Sequence, residues 1–308
     1  MTAAAYAGPL PRPGIFRRFF ASRFVAVSVI VLATILAWYV LAFLFDAPFQ
    51  RDLDGRRGVT RTPLEFVEAT FSQPKPTVPA PHQVAVDTYQ SVFLANPTKP
   101  SSLLYHAWVT LTSTLVGFIA GTLFGVFLAI GIVHARSLDK SLMPWIISSQ
   151  TIPILAIAPM VIVVLAAVGI TGLIPKALIS TYLSFFPVTV GMVKGLRSPA
   201  PINLDLMRTY HASRWQVLWK LRLPASVPFL FTSMKVAVAA ALVGAIVAEL
   251  PTGAVAGIGA KLLVGSYYSQ SVQMWAALVV GSLLAALLVV AVGITERLVM
   301  RRMGARAA

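Results

Sequence analysis

Residues 110–133 read TLTSTLVGFIAGTLFGVFLAIGIV, a run without one charged side chain. As a helix rising 1.5 Å per residue it is about 36 Å long, enough to cross a hydrocarbon core of roughly 30 Å. Inside lipid each backbone N–H and C=O must find its partner within the segment, so such a run is a helix. It belongs to a candidate span at 107–133, and five comparable apolar runs lie at 24–45, 143–168, 174–195, 228–250 and 274–296. These runs are too long and too uniformly apolar for the alternating strands of a β-barrel. The expected fold is therefore all-α: a polytopic membrane protein with about six transmembrane helices. Gly117, Gly121 and Gly125 recur every fourth residue in the quoted run, with Gly244 and Gly281 in later ones. That spacing lets helices approach closely and announces a packed bundle.

Composition agrees. Hydrophobic residues make up 57% of the 308 residues and charged ones 11%, whereas soluble domains carry roughly 25% charged residues. The net charge of +15 does not mark a nucleic-acid binder, because the basic residues punctuate the ends of apolar runs. There is no cysteine, which excludes disulfides, thiolate metal sites and cysteine nucleophiles. His82, His106, His134 and His211 are scattered without ligand spacing, so they read as interfacial or loop residues and no metal site is expected. The run from Phe24 to Phe45 follows Arg12, Arg17, Arg18 and Arg23. It exceeds the 7–15 residues of a secretory signal core and reads as an uncleaved span.

The distribution of Lys and Arg orients the chain with both termini in the cytoplasm. Residues 1–23 form a cytoplasmic N-terminal segment, 24–45 the first span, 46–104 an external Pro-rich segment, 105–300 the core with a cytoplasmic loop at 196–227, and 301–308 a cytoplasmic tail. Pro74, Pro76, Pro79, Pro81, Pro97 and Pro100 predict an extended strap in the external segment, followed by a short amphipathic stretch at about 83–95. It serves either as a plain linker or as a scaffold where a soluble partner docks.

Three features could carry function. Ser149, Gln150 and Thr151 stand just before Pro153 inside the third run. With Tyr182 and Ser184 of the fourth run they are candidates for a translocation path, the other reading being polar glue between helices. Glu249 is the only acid in the interior of these apolar runs, Glu296 marking the cytoplasmic end of the last one. An ionisable group at such depth is costly and points to function. It faces an aqueous path or gate, pairs with a base, or bonds structurally to the glycine-rich stretch after Pro251, which itself reads as a short re-entrant segment. Third, the segment DLMRTYHASRWQVLWKLRLPASVP (205–228) is too basic to lie in lipid. Asn203 or Asp205 is placed to cap a helix over about 205–219 that ends before Pro224. Its apolar stripe of Leu206, Tyr210, Val217, Leu218 and Leu221 fits either a helix lying on the membrane or a docking helix. No GxxxxGK[ST], HExxH or serine-nucleophile motif occurs, so no hydrolytic chemistry is expected of this chain.

The segment resembles the EAA loop of permease subunits of bacterial binding-protein-dependent ABC importers. Asp205 stands at the Glu position and Met207 at that of the second Ala. Arg208 and Thr209 continue the pattern, and His211 occupies the usual Gly position. Ala212, Ser213, Arg214 and Trp215 follow, and Leu223-Pro224 closes the motif, with Pro228 also matching. VPAPHQV (78–84), TIPILAIAP (151–159), SFFPVTV (184–190) and the VAEL…GIGAKLL stretch (247–263) extend the similarity to the nitrate/sulfonate/taurine branch. The resemblance implies an inner-membrane importer subunit that pairs with a second permease chain. Two cytoplasmic ATPase subunits would hold ATP and Mg and dock on the 205–224 loop, and a periplasmic solute-binding protein would deliver solute. It implies no cofactor on this chain, no nucleic acid, and no enzymatic activity of its own. Two departures stand out. His211 lacks glycine's freedom at positive φ, which predicts a differently shaped turn, and LPTG (250–253) departs from the sulfonate pattern. With no internal arginine cluster to trap an anion, the expected solute is a pyrimidine, vitamin precursor or other small heterocycle, with sulfonate, nitrate or taurine next. A secondary transporter or channel independent of ATP is the alternative, but it leaves the basic loop unexplained.

Overall fold

The computed structural model describes residues 23–251 and 254–304; the calls on 1–22 and on the last four residues of the 301–308 tail lie outside the described residues. Among those described there are helices and turns and no strands. Five helices are long and apolar enough to cross a membrane, or six if one sharply bent pair counts as a span. The chain divides into two compact units at Ala85/Val86.

In the first unit α1 (Arg23–Arg57) outlasts the apolar run that predicts it and continues through Pro48. Its apolar part is largely exposed, with Ile30, Leu32 and Leu36 uncovered, as lipid contact requires, and only Ala42 near its end fully buried. Its far end is polar and buried. Asp54 accepts from Gln50 at 3.0 Å and from Arg61 at 3.1 Å. The Asp46 carboxylate takes the Thr77 N–H at 2.6 Å, and Gln73 donates to the Asp46 carbonyl at 3.2 Å.

The external segment is thus not mainly a strap. α2 (Pro63–Phe71) begins with a Thr62/Glu65 capping box. Those bonds, to the Thr62 backbone first, hold the Glu65 carboxyl below its usual range. α3 (Pro81–Tyr89) runs on into a wide π turn at Gln90–Leu94. Pro63 and Pro81 both stand at helix starts, where the missing N–H costs nothing. Extended backbone is confined mainly to 72–80.

The second unit is built on α4 (Leu103–His134), α7 (Leu173–Leu196) and α10 (Leu223–Glu249). Small residues set their spacing. A Cβ at Gly125 would sit 2.8 Å from the Phe185 carbonyl, and one at Gly244 would sit 3.0 Å from Ser180 Cα. The bundle's core of Ala129, Ile132, Val188, Met192, Val238 and Ala241 is sealed from solvent.

The run at 143–168 is not one straight helix. α5 (Arg136–Ser149) and α6 (Ile154–Ala167) meet at 98°. Pro153 offers no N–H at the break, and nearby polar groups take up the freed carbonyls. Ser149 Oγ donates to Ile146 O at 2.7 Å, Thr151 Oγ1 to Ser148 O at 2.7 Å, and the Tyr182 hydroxyl to Ser149 O at 2.5 Å.

The helix expected at 205–219 is likewise two. α8 (Pro201–Thr209) starts on a proline after Ala200, not on a cap from Asn203 or Asp205. α9 (Arg214–Val217) starts at Ser213, whose hydroxyl and Gln216 form a capping box. It does not end before Pro224. A π turn (Leu218–Arg222) leads straight into α10, with the Leu223 N–H reaching back to Leu218 O. That wider register lets the proline pass without breaking the helix. α11 (Ile258–Tyr267) and α12 (Ser271–Arg302) complete the unit. α12 extends beyond the expected 296, so Glu296 lies within the helix and not at its end, paired with Lys235 at 2.5 Å.

Candidate functional site

The loop between α7 and α10 is a helix–turn–helix presented to solvent. Its turn follows from two adjacent local signals. After α8 the Ala212 N–H bonds to Met207 O at 3.0 Å and the His211 N–H to Arg208 O at 2.9 Å. With His211 at φ 51°, this is a Schellman stop, a geometry that usually holds glycine. His211 keeps the left-handed conformation at a cost of about 1–2 kcal/mol. Ser213 restarts the helix at once. Asp205 pairs with Arg208 at 3.0 Å, and Thr209 Oγ1 donates to Asp205 O.

The expected apolar stripe is split by this turn. Leu218 is fully buried, while Ile202 and Tyr210 are each 75% exposed and Leu206, Trp215 and Trp219 are also uncovered. Trp215 stacks on His134 at 5.6 Å. Two ion-pair and hydrogen-bond anchors tie the loop's base to the bundle: Arg197 to Asp139 at 2.8 Å, and Arg222 to Leu196 O at 3.2 Å.

The candidate path residues fall in two places. Ser149, Gln150, Thr151 and Tyr182 gather at the α5/α6 bend. Ser184 is elsewhere, fully buried between α7 and α4 with its hydroxyl 3.3 Å from Gly117 O.

Glu249 is 0% exposed and lies at the opposite end of α10 from the loop. Its carboxylate accepts from Thr110 Oγ1 at 2.9 Å, from the Gly259 N–H at 2.9 Å and from Lys176 Nζ at 3.4 Å. Lys176 also donates to Ala256 O at 3.1 Å. The start of α11 has no cap from its own segment. Instead the Ile258 N–H goes to Thr110 Oγ1 at 2.9 Å and the Gly257 N–H to His106 Nδ1 at 3.0 Å. Accepting at Nδ1 leaves the His106 proton on Nε2, which donates to Pro100 O at 2.9 Å. A helix N-terminus and an ammonium thus hold one buried carboxylate. Gly257 has φ 131°, and a Cβ there would run into the Glu249 carboxylate. Sequence reasoning missed Thr110 and Lys176 as its partners, and His106 as the acceptor for the adjoining Gly257 N–H. A lone lysine near the start of one apolar run and a lone acid near the end of another were the available signal.

The family described as binding-protein-dependent transport system inner membrane component matches residues 121–305, more than half of the chain. The chain belongs to this family. It is an ABC permease subunit of a binding-protein-dependent importer. The permease is 31% identical over 72% of its length to a Haemophilus influenzae protein named "Probable ABC transporter permease protein", covering 86% of that protein. It is 30% identical to the riboflavin transport system permease protein RibX of Chloroflexus aurantiacus, over 73% of this chain and 80% of that one. It is 27% identical to the formylaminopyrimidine transport permease protein ThiX of Halalkalibacterium halodurans, over 59% and 68%. Relatives named for nitrate, aliphatic sulfonates and taurine also match, at 24–27% identity. The α8–α9 turn and the Glu249 cluster's α7, α10 and α11 members all lie within the permease's matched region.

Proposed function

We propose that this chain forms the membrane path of an ATP-driven importer in a bacterial inner membrane, with both termini cytoplasmic, and couples to a separate ATPase through α8 and the turn that follows it. The observation that carries this reading is the exposed face of Ile202, Leu206 and Tyr210, held on a sharp Schellman turn at His211. A helix meant to lie on lipid would keep its apolar stripe continuous, whereas this one is interrupted and projects from a braced base. Arg136, Lys140, Lys194, Arg197, Arg208, Lys220 and Arg301 gather at the same helix ends, as a cytoplasmic face requires. Two ATPase subunits would hold ATP and Mg, a second permease chain would complete the path, and a periplasmic binding protein would deliver solute. The path would pass the α5/α6 bend, where Gln150 and Thr151 are exposed.

The solute is proposed to be a small heterocycle such as a pyrimidine or vitamin precursor. Relatives named for riboflavin and formylaminopyrimidine are matched at higher identity than the one named for nitrate, and no arginine cluster lies inside the bundle among the described residues.

The test is co-purification in mild detergent with the ATPase encoded beside this gene, comparing wild type with a His211→Glu, Ala212→Glu, Arg214→Glu triple variant. Loss of the ATPase in the variant alone supports the coupling role. Equal retention moves the contact elsewhere, and no ATPase with either protein favours transport independent of ATP. Uptake of labelled heterocycle or nitrate by the assembled importer tests the solute.

A further inference from the structure

A cavity of about 710 Å³ opens where α4, α6, α7 and the end of α10 converge, beside the Glu249 cluster. Its walls include Tyr105, Val109, Ala166, Ile170 and Val255, and its one charged lining residue is Lys176. The volume lies within the range of small-molecule sites, about 300–1,000 Å³, and an apolar wall with few polar groups is their usual make-up.

Lys176 defines what the cavity accepts. Its ammonium has three N–H donors, and among the described residues two are committed, to Glu249 and to the Ala256 carbonyl. Its charge is already matched by Glu249, which is held in place by Thr110 and the Gly259 N–H. The site therefore offers a hydrogen-bond donor without net charge. An anion entering would lose its hydration and meet a cation that is already neutralised, while a neutral ring carrying a carbonyl or ring-nitrogen acceptor loses little. Tyr105 supplies an aromatic face and a hydroxyl.

We propose that this cavity is a solute-binding site for a neutral heterocycle, with Lys176 donating to the ring's acceptor and Glu249 setting the preference against anions. The proposal rests on the importer reading above and adds where, and by what charge balance, solute is chosen.

The chain has no cysteine, so Ile170→Cys places a single thiol in the cavity wall of the full-length protein in nanodiscs. Its maleimide labelling is followed with uracil, lumichrome, nitrate or ethanesulfonate present. A heterocycle should slow labelling about threefold at twice its Kd, and the anions should not. Val109→Trp, which fills the space, should abolish the slowing. Glu249→Gln keeps an acceptor for Gly259 but leaves Lys176 uncompensated, so nitrate should begin to slow labelling, a gain that a purely structural Glu249 would not produce. If that variant fails to purify as a single species, the wild-type comparison and Val109→Trp decide. Equal slowing by anions in wild type, slowing that survives Val109→Trp, or rates that follow only the lipid used would each overturn the proposal. Heterocycle uptake by the assembled importer without protection of the thiol removes this site and leaves the substrate reading intact. Uptake of nitrate alone removes both.

Discussion

The continuous helix from Arg214 to Glu249 has two unlike ends. At Glu249 the carboxylate is fully buried and its bonds cross α4, α7, α10 and α11, with partners in the cluster up to 151 residues apart in sequence. At Arg214 the bonds are local, within three to five residues, and large apolar side chains face water. One end is committed to its own chain. The other holds its shape by short-range capping and keeps its surface for something else. Burial of charge demands full pairing, whereas an exposed capped turn needs only its own backbone.

This contrast can be broken most directly at Glu249. Glu249→Ala strands Lys176 and the Gly259 N–H, and should cost about 3–5 kcal/mol, read as a lowered Tm in detergent. A cost under about 1 kcal/mol would mean water reaches the cluster. Gly257→Val combines a strained positive φ with a side chain driven into the carboxylate. It should cost about 2–3 kcal/mol, also read as a lowered Tm. At the other end, Ser213→Ala removes a cap and should cost about 1 kcal/mol, with hydrogen exchange rising only around 213–217. Tyr210→Asp should change stability by less than about 0.5 kcal/mol while reducing ATPase capture. A large loss of stability would show that Tyr210 is packed and not displayed.

The smallest effect is a pH dependence. Burial raises the Asp87 carboxyl above its ordinary 3.8, with the nearby Lys261 opposing the shift. The folded state then binds a proton more tightly than the unfolded one, so this group's contribution is full below pH 3.8 and declines as pH rises through the raised value. Asp87→Asn should flatten that part of the Tm–pH curve.

The sequence made the membrane fold legible because long uncharged runs leave no other choice. Local signals at the loop were also present: Ser213 with Gln216 spells a capping box, and Pro63 and Pro81 mark helix starts. They were overridden by reading a single amphipathic stripe from Leu206 to Leu221 and by treating proline density as a bar to helix. The 98° bend was half visible in Pro153, but its sharpness depends on the Tyr182 hydroxyl 33 residues away. The partners of Glu249 were not legible. Whether a buried acid meets a lysine, a threonine or a helix start depends on which helices pack, and spacing along one chain does not encode that.

From Arg214 to Glu249 the backbone stays helical for 36 residues, through the π turn at 218–222, about 54 Å at 1.5 Å per residue. A rod of that length acts as a lever: tilting it by about 5° displaces one end by about 5 Å relative to the other. A nudge at Trp215 would thus be carried along one helix toward the carboxylate of Glu249.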